Sequence, residues 1–175
     1  MSNLILRQGV IAEDDWTLTV EAAGELPARA KIIVPLARWR TEREALLAGA
    51  AAVGVLLPNT EDVEALYPLI ADRPLIALQF PTFTDGRALT QAVLLRTRLG
   101  FTGELRALGD VIRDLVFWLG RCGIDSIVPR PDQNLPSCQQ ALAEIGVAYQ
   151  SAADTHTPVW ARRRLRARAA AQARP

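Results

Sequence analysis

The chain has 175 residues, half of them hydrophobic and 22% charged, a balance that excludes a disordered polypeptide and suffices for one buried core. Its formal charge is +1, and two cysteines, Cys122 and Cys138, with a single histidine exclude a disulfide framework and a zinc ribbon. No basic segment leads into a long apolar run at the N-terminus, and no apolar stretch reaches the ~20 residues of a membrane helix, so the expectation is a cytoplasmic protein without a membrane partner.

In chain order, the opening segment alternates loosely through Leu4, Leu6, Val10, Ile11, Trp16, Leu18 and Val20, with Gly9 and Asp14-Asp15 as punctuation. It reads as a short N-terminal β segment. From Lys31 a rhythm begins: a buried strand over Ile32–Leu36, a helix over Arg40–Gly49, then a strand over Val53–Leu57. The next helix starts near Thr60, a candidate N-cap with Glu61 and Asp62 in the first turn. A strand over Pro74–Phe80 leads through Pro81–Arg87 into a helix ending near Leu99. Glu104–Leu108 is a strand, Val111–Cys122 a helix and Asp125–Arg130 a strand; a helix from Ser137 and a short final strand, Val147–Gln150, close the domain.

Repeated βα units with near-continuous apolar strands predict an α/β fold, a mainly parallel sheet with helices on both faces. The alternative is an incomplete barrel, since eight units are needed for a full one. Residues 1–150 form the single domain. Residues 151–175 form a basic tail in which Ala161–Arg174 carries six arginines and no acid. Without those six, 14 basic residues face 19 acidic ones, leaving the body near −5. The tail is expected to be a flexible, solvated arm, and nucleic-acid binding through it ranks last, because only Trp160 is interleaved.

Nucleotide fingerprints are absent: no G-x-G-x-x-G follows a strand, and no lysine occurs after Lys31 to build a phosphate loop. No metal site is expected, and two thiols cannot supply the four that an iron–sulfur cluster takes. His156 falls past the last strand, Cys122 at a helix C-terminus, and Cys138 near a helix start; none reads as a nucleophile or its base. The polar residues that remain sit at expected carboxyl ends of strands, where α/β sheets bind ligands. One group is Thr82, Thr84, Asp85, Gly86 and Arg87; the other is Gly109 and Asp110, with Arg113 and Asp114 one turn on. Helix N-termini and arginines there suit a small oxyanion, although Asp85 and Asp110 equally suit simple helix caps. The helix Val111–Cys122 is apolar nearly all round, which marks Phe117 and Trp118 as a candidate interface.

The stretch TDGRALTQAVLLRTRLGFTGELRALGDVIRDLVFWLGRCGIDSI, with IIVPLARW, VGVLL and LIALQFP before it, resembles a bacterial family known as domain of unknown function 934. Its members typically lie beside assimilatory sulfite reductase. The resemblance therefore implies an accessory role in sulfite reduction or sulfate assimilation, with sulfite reductase as partner. It carries over Asp85, Gly86, Arg87, Arg106, Gly109, Asp110, Asp114 and Arg121 as motif positions, with no catalytic role assigned to any. Arg121 joins Phe117 and Trp118 in the expected interface, and Arg106 joins the strand-end ligand group. Two departures are visible: Ala88-Leu89-Thr90 follows DGR where the family has Gly, an aromatic and Ser, and Leu115 replaces a Gln. No cofactor is predicted within the chain; a flavin is left open. The alternative to docking is a small enzyme or oxyanion-binding module using the strand-end Arg and Asp residues.

Overall fold

The computed structural model describes residues 3–19, 29–154 and 157–172. Three short strands come first: β1 (Leu4–Arg7), β2 (Val10–Glu13) and β3 (Trp16–Leu18). Five strand–helix units follow: β4 (Lys31–Pro35) with α1 (Leu36–Gly49), β5 (Ala52–Leu57) with α2 (Val63–Ile70), β6 (Leu75–Phe80) with α3 (Arg87–Thr97), β7 (Glu104–Gly109) with α4 (Arg113–Arg121), and β8 (Ser126–Ile127) with α5 (Leu135–Ala141). The last element is α6 (Val159–Gln172).

All eight strands share one sheet in the order β2-β1-β8-β7-β6-β5-β4-β3. From β3 to β8 neighbouring strands are parallel, while β1 is antiparallel to both β2 and β8. The sheet is thus mixed, with the N-terminal hairpin added to a parallel body. That hairpin turns on Gln8 and Gly9, both at positive φ (50° and 79°), the pairing a two-residue type I′ turn requires.

The strands β4 to β8 lie side by side in chain order. With right-handed crossovers and no reversal of strand order, every connecting helix falls on the same face. The core shows this directly. Buried apolar residues of α1 to α5 all join one cluster with Ile32, Val34, Val55, Ile76, Leu78 and Leu105 from the sheet. The opposite face holds a smaller cluster of strand residues only: Trp16, Ile33, Leu75, Ala77 and Leu108. The expectation of helices on both faces is therefore corrected; the sheet is a curled half-barrel with its helices outside. The curl has a covalent marker. The two edge strands, β2 and β3, are joined only by Asp14 and Asp15, so Glu13 and Trp16 lie at most about 11 Å apart.

Several boundaries differ from the sequence reading. Asp62, rather than Thr60, caps α2, its carboxylate accepting from the backbone N–H of Glu64 at 2.9 Å and Ala65 at 3.4 Å. α1 starts four residues earlier than expected, and α4 starts at Arg113 because Ile112 is extended (φ −103°, ψ 163°). Asn134, not Ser137, caps α5, accepting the Ser137 N–H at 2.9 Å. Residues 147–150 form no strand. The basic tail holds the helix α6, with Arg163, Arg164, Arg166 and Arg168 exposed, and His156 lies outside the described residues.

Candidate functional site

The carboxyl ends of the parallel strands gather the loops after β5, β6, β7 and β8 at one end of the half-barrel. The link between two of these loops is built on Gly109 and Asp110. Gly109 has φ +114°, and a Cβ there would stand 2.3 Å from the Phe80 carbonyl oxygen, so only glycine lets β7 end this close to β6. The Asp110 N–H then donates to that same oxygen at 2.7 Å. The Asp110 carboxylate accepts the Phe83 N–H at 2.8 Å on one oxygen and Arg130 at 2.8 Å on the other. It is a clasp between loops rather than the cap of α4. The first N–H of α4, on Arg113, goes instead to the side-chain carbonyl of Gln133 at 3.0 Å.

The second expected group stands beside this clasp, joined to it through Phe83. Thr82 and Thr84 share a hydroxyl hydrogen bond of 3.2 Å. Asp85 accepts the Arg87 backbone N–H at 3.2 Å, and the Arg87 guanidinium forks onto both of its oxygens at 2.9 and 2.6 Å. This bidentate partner holds the Asp85 carboxyl well below the usual carboxylate range. Gly86 precedes α3 and supplies no side-chain cap. Two buried polar residues back this loop. Gln91 donates to the carbonyls of Pro58 (3.0 Å) and Glu61 (2.9 Å), its own Oε1 making no hydrogen bond, while the Asn59 side chain adds to the lowering of Asp85.

Four other expected residues lie elsewhere, each for a visible reason. Arg106 is on the inner face of β7, away from the strand end, and is fully buried. Its guanidinium reaches both oxygens of Asp14 at 2.8 Å, Glu104 at 2.8 Å and Ser126 at 3.0 Å. These partners are near the amino ends of the strands, the stability end of barrel-like folds. Arg113 turns from the strand ends toward α5, donating to Ser137 at 2.9 Å and pairing with Glu144. Asp114 points to solvent, its side chain 81% exposed. Arg121, expected at an interface, is buried: it holds Asp154 at 2.8 and 3.0 Å and the Gln150 carbonyl at 2.5 Å.

Arg130 and Asp132 are strand-end residues that the sequence reading missed. Asp132 raises the Arg130 guanidinium further, with Asp110 second, and Arg130 in return lowers the Asp132 carboxyl. The signal was available, because Val-Pro-Arg-Pro-Asp directly follows the apolar core of β8. Both thiols are pushed up by burial, against the thiolate that a nucleophile or metal ligand needs. No group of three or more His, Cys, Asp or Glu among the described residues could hold a metal ion, and none of their helices is long and apolar enough to cross a membrane.

The candidate interface divides. Val116 and Leu119 are buried under α4, whereas Trp118 stands 55% exposed with its ring edge-on to Phe117, centroids 5.2 Å apart. Ile145 and Glu144 share a shallow hollow with this pair.

Fold and site together define a curled α/β half-barrel whose strand-end loops are clasped by ion pairs, with an aromatic patch on its fourth outer helix. The sequence model of a bacterial protein family of unknown function, domain of unknown function 934, matches residues 54–160, and the chain belongs to that family. No curated protein and no solved structure matches the chain.

Proposed function

We propose that this protein is an accessory component of sulfite reduction that docks on sulfite reductase through the surface around Trp118. The metabolic context and the partner come from the family resemblance. The observation that carries the docking is the exposed Trp118 itself. A large aromatic ring more than half exposed, braced by Phe117 and beside exposed Ile145, is the kind of anchor that interfaces bury. Charged neighbours Asp114 and Glu144 give this patch a polar rim. The strand-end groups leave less for a ligand, because Asp110 and Arg130 are engaged with each other within the chain.

The test is co-purification with sulfite reductase, joined to an absorbance spectrum of the chain alone. Wild-type protein is expected to be retained, Trp118→Ala to lose most of that retention with its circular dichroism unchanged, and the chain to be colourless. Equal retention of folded Trp118→Ala, or a flavin-like spectrum, contradicts the reading.

A second reading, oxyanion binding, has one observation in its favour: the Arg87 guanidinium is exposed at the start of α3. Asp85 opposes it by occupying that guanidinium. Under this reading sulfite or phosphate raises the melting temperature, and the rise shrinks in Arg87→Ala.

A further inference from the structure

A cavity of about 280 Å³ lies between β1, β8, α4 and the stretch that follows α5. Leu6 and Ile127 of the sheet form its floor, Phe117 and Ile124 one wall, and Leu142 and Ile145 its roof. Two glycines keep it hollow. Gly9 and Gly120 line it where any longer side chain would protrude, and a Cβ at Gly120 would already approach Leu142 to 3.2 Å. The roof is tied down at the cavity's edge, where Arg121 holds the Gln150 carbonyl and Asp154, and the Ala153 N–H returns to the Arg121 carbonyl at 3.1 Å.

We propose that this cavity is a binding site for a small, uncharged, largely apolar molecule bearing one hydrogen-bonding group. Water in an open hollow with mostly apolar walls gains few hydrogen bonds from them, and an apolar guest that displaces it buries that surface favourably. The charges on its walls are already neutralised: Arg121 by Asp154, and Asp125 by Arg96 and by the Leu105 N–H at 2.8 Å. A charged guest would lose its hydration and find no counter-ion. At the rim Gln8 is exposed, fixed in its turn by a 2.7 Å bond from its own N–H to the Asp125 carbonyl, and its side-chain amide can serve the guest's polar end. Pockets of this composition, apolar with a few convergent polar groups, are the usual form of small-molecule sites. The site adjoins the docking surface and shares Phe117 and Ile145 with it, but Trp118, the docking anchor, does not line it.

Titration with 2-naphthol, followed by amide chemical shifts, tests the site. Saturable shifts are expected at Gly9, Gly120, Ile124 and Ala148. Ala148→Trp, which plugs the roof, should weaken binding at least tenfold; if that variant fails to fold, Ile145→Trp plugs the rim from an exposed position. The anion 2-naphthoate should bind at least tenfold more weakly than 2-naphthol. Absence of saturable shifts in the wild-type chain, undiminished binding by a folded plugged variant, or equal binding of the anion would overturn the proposal.

Discussion

Arg106 spends its guanidinium on three partners, one of them 92 residues away in sequence. Breaking a buried ion cluster by removing one member leaves the others uncompensated, at a cost of about 3–5 kcal/mol. Arg106→Met is therefore expected to lose that much stability in urea unfolding, with Asp14 and Glu104 left facing each other. Gly109→Ala should cost about 2 kcal/mol or more, since it adds strain at positive φ to a clash with the Phe80 carbonyl. Beside Arg106, Lys31 and secondarily Arg7 draw Asp15 down from 3.8 to about 2. A carboxylate whose folded pKa is depressed stabilises above its unfolded pKa and loses that contribution as pH falls through the folded one. The Asp15 contribution is thus complete above about pH 4 and fades toward pH 2. Its side chain is 48% exposed, so the total stays below about 1 kcal/mol. A carboxyl titration by NMR checks this, with Lys31→Ala returning Asp15 toward its ordinary value. The motif positions in GELRALGD were legible as residues that matter, yet their division of labour was not. Arg106 and Asp110 are four apart on or just past one strand, and only the pairing partners reveal that one braces the inside while the other clasps the loops.

At the scale of elements, α4 shows where periodicity misleads. Read from Val111, the helix is apolar nearly all round. Val111 and Ile112 in fact belong to an extended entry, and the shortened helix is amphipathic, with Val116 and Leu119 inward and Trp118 outward. The signal for its true start lies 20 residues downstream, where Gln133 accepts the Arg113 N–H. Gln133→Ala should therefore cost about 1 kcal/mol in thermal or urea unfolding, as the loss of a helix cap does. The same limitation affected Arg121. A buried arginine near a helix end looks like an exposed one until its acceptors, Asp154 and the Gln150 carbonyl, are known. Capping by Asn134 in place of Ser137 is a local preference that sequence could have ranked either way, since both residue types accept backbone N–H groups well.

For the whole molecule, strand–helix alternation was legible because buried parallel strands leave continuous apolar runs. Which face the helices take was not, because it depends on strand order, a long-range property that local patterning does not encode. The sequential order resolves it and produces the half-barrel, while the Asp14–Asp15 link brings the sheet's edges near each other. The α6 helix carries its arginines outward from a body that is net acidic, and the aromatic patch on α4 lies on the main domain. Docking is thus assigned to a hydrophobic anchor rather than to charge, and it should survive moderate salt. The most direct test is sedimentation velocity of the purified chain mixed with sulfite reductase. A faster-moving complex that persists at 0.3 M salt (roughly a 6 Å screening length) and disappears with folded Trp118→Ala is the predicted result. Two unchanged, independent boundaries for the wild-type mixture would contradict it.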